Sequence, residues 1–249
     1  IISHGLSSII WFINTQNKLR YYNMDNFLSQ SIESSLPMNT QHITSISNGT
    51  SHTIFQHKSN VLYYLNMTTT QTKLYMITFF KSNNINILKI VSGSNYSVIL
   101  TQNGNCYYID PQCIPAPILL ISLPNTKITD IISGTSHVIF LDNNGNVYTY
   151  GNNSYGQCGF NSTIKHINAP TKLVLNTKIE KIYCGWEYSI LKDINKNYYV
   201  FGDNTYGQCF IHPKYNPIIY LPHFLHLNEL KYKIGMDIYT NNIIKNDKS

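Results

Sequence analysis

The chain has 249 residues, of which 43% are hydrophobic and only 12% are charged. This apolar share is too high for a disordered tail, and the length fits one large domain or two small ones. Polar residues interrupt every apolar run before it reaches the roughly 18 residues that a membrane-spanning helix needs. We therefore expect a folded protein without a membrane span.

The formal net charge of +6 comes from 18 basic and 12 acidic residues, and Arg20 is the one arginine among the basic residues. Proteins that read DNA rely on arginine for bidentate contacts with guanine and phosphate, whereas lysine supplies a point charge. The lysines are scattered, so they support only weak attraction to an acidic surface. We do not expect dedicated nucleic-acid recognition, except for weak contact with chromatin.

The five cysteines are an odd number, and no two of them form a C-x-x-C pair. This disfavours a disulfide framework and a zinc site. It suits a reducing intracellular compartment, cytoplasmic or nuclear, in which cysteine packs as a small hydrophobic residue.

A short apolar stretch that ends in glycine and leads into a β-rich run recurs along the whole chain. The glycines of the first five copies lie at positions 5, 49, 93, 134 and 185, and a degraded sixth copy surrounds Gly235. The mean spacing is about 46 residues, a period typical of repeat architectures. We place the starts of the units near residues 1, 45, 89, 130, 181 and 231, within a single domain of residues 1–249.

The fourth and fifth copies have a second half that repeats as well. Residues 143–159 read NNGNVYTYGNNSYGQCG, and residues 195–209 read NKNYYVFGDNTYGQC. In each, a turn rich in Asn and Gly, which tolerate positive φ, precedes a strand of alternating character. Helical periodicity is nearly absent, so each unit is predicted to run strand, tight turn, strand, loop.

A period of about 40 to 50 residues with several short strands per unit is typical of β-propeller blades. A helical solenoid would need a 3.6-residue pattern, and a β-sandwich would not repeat its sequence five times. The predicted fold is therefore all-β, a β-propeller with five full units and the start of a sixth.

The repeated pattern resembles the regulator of chromosome condensation repeat. The motif I-x-S-G-x-x-H-x-x-x-L, followed by N-G-x-V-Y-x-Y-G-x-N-x-x-G-Q-C-G, is nearly complete over residues 131–159 and recurs over 182–209. The usual family form has Trp in place of Tyr150 and Leu in place of Cys158. The first three copies keep the glycine half and lack the G-x-N-x-x-G-Q loop.

The resemblance implies a propeller that typically has seven blades, which would need about 350 residues. Either the ring is smaller, or some blades are eroded, or the chain is a piece of a longer protein. The start at Ile1 instead of Met favours the last of these expectations.

The repeated loop residues are interpreted as structural. Glycines shape the turns, and the glutamine amides satisfy backbone groups between blades. In the second of the two best copies the middle polar residue changes from Asn to Asp203. The other loop residues are predicted to correspond as follows: Gly151 to Gly202, Asn152 to Asn204, Gly156 to Gly207 and Gln157 to Gln208. The unit glycines Gly49, Gly93, Gly134 and Gly185 belong to the same structural set.

The candidate partner-binding residues lie close to the unit glycines and at predicted loop tips. His52 and His137 follow their glycine by three residues, and a recurring histidine is more often a structural hydrogen-bonding residue than a catalytic one. The functional interpretation is that these positions follow a rim loop, where propellers contact partners. In the family member that exchanges nucleotide on the small GTPase Ran, acidic and histidine residues of one face contact the GTPase. That resemblance implies four residues here, namely Glu187 and Asp237 beside His52 and His137. Tyr155 and Tyr206 suit a protein interface.

The sequence contains no recognisable catalytic constellation, phosphate loop or cofactor motif. We therefore predict a protein that is not an enzyme and has no cofactor, no metal site and no small-molecule substrate. The expected function is a scaffold that binds a protein partner of unknown identity. The alternatives are guanine-nucleotide exchange on a small Ran-like GTPase and a chromatin-associated binding module that uses lysines such as Lys165 and Lys172.

Overall fold

The computed structural model describes residues 42–66, 73–112 and 114–225, together with four short strands that precede them. These are β1 (His4–Gly5), β2 (Ile9–Ile13), β3 (Leu19–Asn23) and β4 (Leu28–Ser31). Strands β2 to β4 form a three-stranded antiparallel sheet, which we call blade 1.

Four further blades follow, and each contains four antiparallel strands that are neighbours in chain order. In the first of them, blade 2, β1 is added as a fifth strand that pairs in parallel with β5. Blade 2 consists of β5 (Ile43–Asn48), β6 (His52–His57), β7 (Leu62–Asn66) and β8 (Lys73–Ile77). Blade 3 consists of β9 (Ile87–Ser92), β10 (Ser97–Thr101), β11 (Cys106–Ile109) and β12 (Ile118–Ile121). Blade 4 consists of β13 (Ile128–Ser133), β14 (His137–Asp142), β15 (Val147–Asn152) and β16 (His166–Lys172). Blade 5 consists of β17 (Ile179–Cys184), β18 (Tyr188–Asp193), β19 (Tyr198–Asp203) and β20 (Ile218–Leu225), and a short helix, α1 (Phe79–Ser82), joins blades 2 and 3.

The first strands of successive blades, from β5 through β9 and β13 to β17, contact one another in turn, as in a β-propeller. Blades 2 to 5 begin at residues 43, 87, 128 and 179, two residues before the predicted starts at 45, 89, 130 and 181. The predicted all-β propeller fold is confirmed. The predicted sixth unit around Gly235 lies outside the described residues.

The hydrophobic core lies between neighbouring blades. Each of three buried clusters combines side chains of two consecutive blades. Ile54 of blade 2 shares a cluster with Ile99 of blade 3, and Val98 of blade 3 shares one with Phe140 of blade 4. A blade cannot bury its apolar surface alone, so neighbouring blades stabilise each other.

Strand register separates two ends of each blade. His137 is opposite Gly151, and Tyr188 is opposite Gly202. The hairpin tips 134–137 and 185–188 therefore lie at the same end as the loops 153–165 and 204–217. We call this end the hairpin face, and the opposite end, with turns 143–146 and 194–197, the linker face. Within the described part of the chain, no helix has the length and apolar character needed to cross a bilayer.

Candidate functional site

Each hairpin tip is built on a unit glycine and a ring three residues later. The N–H of Gly134 donates to the carbonyl oxygen of His137 at 2.9 Å, which closes a two-residue turn. A Cβ on Gly134 would lie 2.2 Å from Cε1 of that ring, so glycine is required for close approach. The same crowding recurs for Gly49 with His52, Gly93 with Tyr96 and Gly185 with Tyr188.

The rings reach into the following blade. Nε2 of His52 lies 2.7 Å from Oγ of Ser97, and Nε2 of His137 lies 3.0 Å from Oγ of Ser189. Tyr96 instead donates its hydroxyl to the carbonyl oxygen of His137 at 2.8 Å. These side chains therefore join consecutive blades.

Both histidines are fully buried. Burial lowers the pKa of His52 to about 4 and the pKa of His137 to about 3, so both imidazoles are neutral at neutral pH. A side chain without exposed surface does not contact a partner directly. The structure thus corrects the partner-binding prediction for His52 and His137 and gives them a role in joining blades.

Backbone hydrogen bonds link the hairpin tips in a row across blades 2 to 5. The N–H of Thr50 donates to the oxygen of Ser94 at 3.0 Å, and the N–H of Ser94 donates to the oxygen of Thr135 at 2.8 Å. The N–H of Thr135 in turn donates to the oxygen of Trp186 at 2.8 Å. The tips are therefore held in fixed positions relative to one another.

The loops of blades 4 and 5 are each organised by one buried asparagine. Oδ1 of Asn153 accepts a hydrogen bond from the N–H of Cys158 at 3.1 Å, and its Nδ2 donates to the oxygen of Ile164 at 2.6 Å. Asn204 makes the corresponding bonds with Cys209 and Asn216 at 3.0 and 2.7 Å.

The predicted pairing of Asn152 with Asn204 is therefore wrong by one position. Asn153 is the residue equivalent to Asn204, and Asn152 is equivalent to Asp203. Asn152 and Asp203 each cap the start of their loop. Oδ1 of Asn152 accepts the N–H of Ser154 at 2.7 Å, and Oδ1 of Asp203 accepts the N–H of Thr205 at 3.0 Å.

Gln157 connects blade 4 to blade 5. Its Oε1 accepts the N–H of Tyr155 at 2.9 Å, its Nε2 donates to the Glu187 carboxylate, and its carbonyl oxygen accepts the hydroxyl of Ser189 at 2.7 Å. Gln208 holds the N–H of Tyr206 in the same way, at 2.9 Å, but donates its amide within its own loop, to Asp203 Oδ2 at 2.8 Å.

Glu187 is half-buried at the tip of the blade 5 hairpin. Burial raises the pKa of its carboxyl, although hydrogen bonds from Ser136 and Gln157 act in the opposite direction. The hydroxyl of Ser136 donates to Oε2 at 2.9 Å. Glu187 therefore presents a carboxylate that blade 4 holds in place. The fourth implied residue, Asp237, lies outside the described residues.

Exposed aromatic side chains gather on the hairpin face. Tyr155 and Tyr206 at the loop tips are 46% and 89% exposed. The sequence-based reasoning missed Trp186, which is 71% exposed at the blade 5 hairpin tip. Its signal was available, because the same position in copies two to four holds a small polar residue, namely Thr50, Ser94 or Thr135.

The described cysteines are unpaired, and Cys106, Cys158 and Cys209 are buried, as the sequence predicts. Burial raises the pKa of each of these thiols to about 12. None of the three is poised as a thiolate nucleophile.

Comparison with known families agrees with the repeat pattern. A model of the regulator of chromosome condensation (RCC1) repeat matches residues 144–191, and a second model of the same repeat matches residues 128–157. Protein RCC2 homolog of Xenopus laevis is 32% identical over 123 residues, which cover 49% of this chain and 24% of that protein. Mouse Protein RCC2 is 29% identical over 138 residues, which cover 50% and 26% of the two chains. The matched segment thus spans about a quarter of the length of these curated relatives.

Among solved structures, Prp20p of Saccharomyces cerevisiae, described with its binding properties to Gsp1p and histones, superposes with a TM-score of 0.66. It is 14% identical, and the match covers 88% of this chain and 61% of that one. Identity this low shows a shared fold. The two repeat models show that residues 128–191 match the regulator of chromosome condensation repeat, and the shared fold shows that the chain is built as blades of a β-propeller.

Proposed function

We propose that the protein is a non-catalytic binding module that engages a protein partner across its hairpin face. The observation that carries this proposal is the exposed indole of Trp186 at a hairpin tip. Large exposed aromatic side chains are enriched at protein interfaces and often dominate their binding energy.

The surroundings of Trp186 support this role. Its carbonyl oxygen is fixed by the N–H of Thr135, so the tip is preorganised and loses little freedom on binding. Glu187, the next residue along the chain, supplies a carboxylate at the same hairpin tip. Gln157 donates to that carboxylate and also accepts the N–H of Tyr155, which holds this tyrosine at the same junction. An aromatic anchor with an acidic group beside it favours a partner that offers an apolar pocket with a basic rim.

Site-specific photo-cross-linking tests this proposal. A benzophenone amino acid replaces Tyr206 on the hairpin face or, as a matched control, Ile194, which is 57% exposed on the linker face. We expect a discrete cross-linked partner from position 206 and none from position 194. Partner identity is then established with purified components. Cross-links from position 194 alone would contradict the proposal.

Guanine-nucleotide exchange on a Ran-like GTPase has weaker support. The shared fold with Prp20p, described with its binding to Gsp1p, favours it, but two of its four implied residues, His52 and His137, are buried. An exchange factor accelerates release of labelled nucleotide from a GTPase, and unchanged release across a panel of small GTPases would exclude this activity.

Chromatin binding through Lys165 and Lys172 also has weaker support. Lys165 precedes β16 on the hairpin face, whereas Lys172 ends that strand near the linker face. The two lysines therefore do not form one basic patch. Salt-sensitive retention on nucleosomes, weakened by Lys165→Ala, would support this alternative.

A further inference from the structure

A groove of about 340 Å³ opens on the hairpin face between blades 3 and 4. A row of rings lines it, in which neighbouring centroids are 5.7 Å apart for Tyr96 and Tyr108, 6.3 Å for Tyr108 and Tyr150, and 6.3 Å for Tyr150 and His166. The lining contains no Asp, Glu, Lys or Arg, and its polar groups include the Ser136 hydroxyl and the His166 imidazole. The groove therefore combines aromatic surfaces with hydrogen-bonding groups.

The equivalent place between blades 4 and 5 is filled by the loop 153–165 of blade 4. The hydroxyl of Tyr220 donates to the oxygen of Ser154 at 3.3 Å. A Cβ on Gly156 would lie 2.5 Å from the Tyr220 Cα, so this glycine lies directly against β20. Gln157 then reaches Glu187. A tight turn thus packs against the hairpin tip and the outer strand of the next blade.

The walls of the groove correspond to the surface that receives this turn. Ser136 lies two residues after its unit glycine, as Glu187 does. His166 pairs with Asn152 as Ile218 pairs with Asp203. The groove is thus the counterpart, one blade earlier, of a site occupied by the protein's own loop.

The groove is open because blade 3 lacks such a loop. The connection between β11 and β12 spans residues 110–117, which is shorter than 153–165 and has no Gly-x-Asn-x-x-Gly-Gln motif. The receiving surface also differs at the residues that bond the loop of blade 4. Ser136, Val138 and Asn168 stand where Glu187 accepts from Gln157, Ser189 donates to the Gln157 oxygen and Tyr220 donates to the Ser154 oxygen. The preceding blade therefore leaves the surface uncovered.

We propose that this groove receives a tight turn of a partner protein in place of the missing loop. The turn contains a glycine, an aromatic residue and an amide side chain, as Tyr155, Gly156 and Gln157 do at the next junction. A glycine permits close approach to the strand, the uncharged lining favours an uncharged turn, and the row of rings favours an aromatic residue. This inference rests on the proposed function, because it names the chemistry of a partner on the hairpin face.

The test is direct binding of a fluorescein-labelled peptide with the sequence of residues 151–159, carrying Cys158→Ser, to the 249-residue chain. We expect saturable binding by fluorescence anisotropy, weakened about tenfold or more by Gly156→Val in the peptide. Asn95→Trp, an exposed residue in the groove lining, should block binding to a similar extent. Asn195→Trp on the linker face is the matched control. Absence of saturation up to about 1 mM peptide, or equal binding by Asn95→Trp, would overturn the proposal.

A second variant guards against misfolding of Asn95→Trp. Residues 153–165 replace residues 110–117, so that blade 3 covers the groove itself. This graft should fold and lose peptide binding, and a folded graft that still binds the peptide would overturn the proposal.

Analytical sedimentation tests whether a second copy of the chain occupies the groove. If the chain self-associates, if Asn95→Trp abolishes this association and if the peptide does not affect it, the occupant of the groove is a second copy of the chain and not a partner turn.

The peptide assay requires no partner, so its failure leaves the proposed function in place. Conversely, Trp186→Ala should leave peptide binding unchanged. Loss of the cross-linked partner with retained peptide binding would separate the two proposals.

Discussion

Nε2 of His137 lies 3.0 Å from Oγ of Ser189 in the following blade. The junction between blades 2 and 3 uses the same pair, His52 and Ser97. Between blades 3 and 4 the ring is Tyr96, and the position equivalent to Ser189 is Val138. The ring residue of one blade and the facing residue of the next blade therefore change together. A histidine needs a polar partner, whereas the tyrosine hydroxyl reaches a backbone carbonyl.

Ser189→Val should lower the free energy of unfolding by about 1 to 3 kcal/mol, because it leaves the buried His137 without its hydroxyl partner. Adding His137→Tyr recreates the Tyr96 and Val138 arrangement and should recover about half of the loss. Recovery stays incomplete, since Ser189 also donates to the oxygen of Gln157. Urea unfolding of the four members of the double-mutant cycle measures the coupling. Strict additivity of the two substitutions would contradict the pairing.

Stability should fall as the pH is lowered from about 6.5 to about 4. The folded pKa values of His52 and His137, about 4 and about 3, lie below the ordinary value of 6.5. The unfolded chain therefore binds more protons in this range, and each histidine contributes a slope of about 1.4 kcal/mol per pH unit. Above pH 7 both histidines are neutral in the folded and in the unfolded chain, so they no longer make the stability depend on pH.

The control for this pH dependence is the variant with His137→Tyr and Ser189→Val. Its slope, from urea unfolding at several pH values, should be smaller by about 1.4 kcal/mol per pH unit. A wild-type slope in the double variant would show that His137 is not the titrating group.

Gly156→Ala should destabilise the protein more than Gly207→Ala by about 2 kcal/mol or more. Both glycines have nearly the same φ, +78° and +79°, so placing alanine in the left-handed region costs about the same free energy at each position. A Cβ at Gly156 would meet Tyr220 Cα at 2.5 Å, whereas the nearest atom at Gly207 is 3.8 Å away. Thermal unfolding of the two variants isolates the contact between blades, and equal losses would argue against it.

Asn153→Ala should lower the free energy of unfolding by about 3 kcal/mol, because the buried N–H of Cys158 and the oxygen of Ile164 lose their shared partner. Asn152→Ala, one residue away, should lower it by less than about 1 kcal/mol, since that side chain is only half-buried. Limited proteolysis within residues 153–165 provides a local readout. Faster cleavage in the Asn152 variant than in the Asn153 variant would reverse our assignment.

Trp186→Ala should weaken binding to the partner identified by cross-linking by about tenfold or more, which corresponds to about 1.4 kcal/mol. The indole is 71% exposed, so the unfolding midpoint should change little. The affinity is measured by calorimetry with purified components. Val174→Ala, which truncates a 94% exposed side chain elsewhere, is the matched control. Equal affinities for the two variants would remove Trp186 from the interface.

The fold was predictable because each unit repeats its own pattern of glycine, apolar strand and turn. The alternation in Val147 to Tyr150 became alternating burial, and the strand starts followed the unit spacing. These signals are local, and a repeat presents them several times.

The candidate site was less predictable, because it depends on contacts between blades. Nothing near His137 in the sequence shows that its ring meets Ser189, which lies 52 residues further on. The one-residue error at Asn152 arose because two adjacent asparagines fit the same motif, and only burial distinguishes them. Trp186 departs from the small polar residues of copies two to four at a hairpin tip, and this departure is the sequence signal for the contact that we propose.

The matched junctions limit how such a protein gains or loses repeats. Tandem duplication of the fourth unit would place His137 against a second Val138, which offers the imidazole no hydroxyl. Duplication of the third unit would set Tyr96 against Ser97, the counterpart of a histidine. Units of this propeller are therefore not interchangeable, and a duplicated unit is compatible with its neighbours only after a compensating substitution at the new boundary.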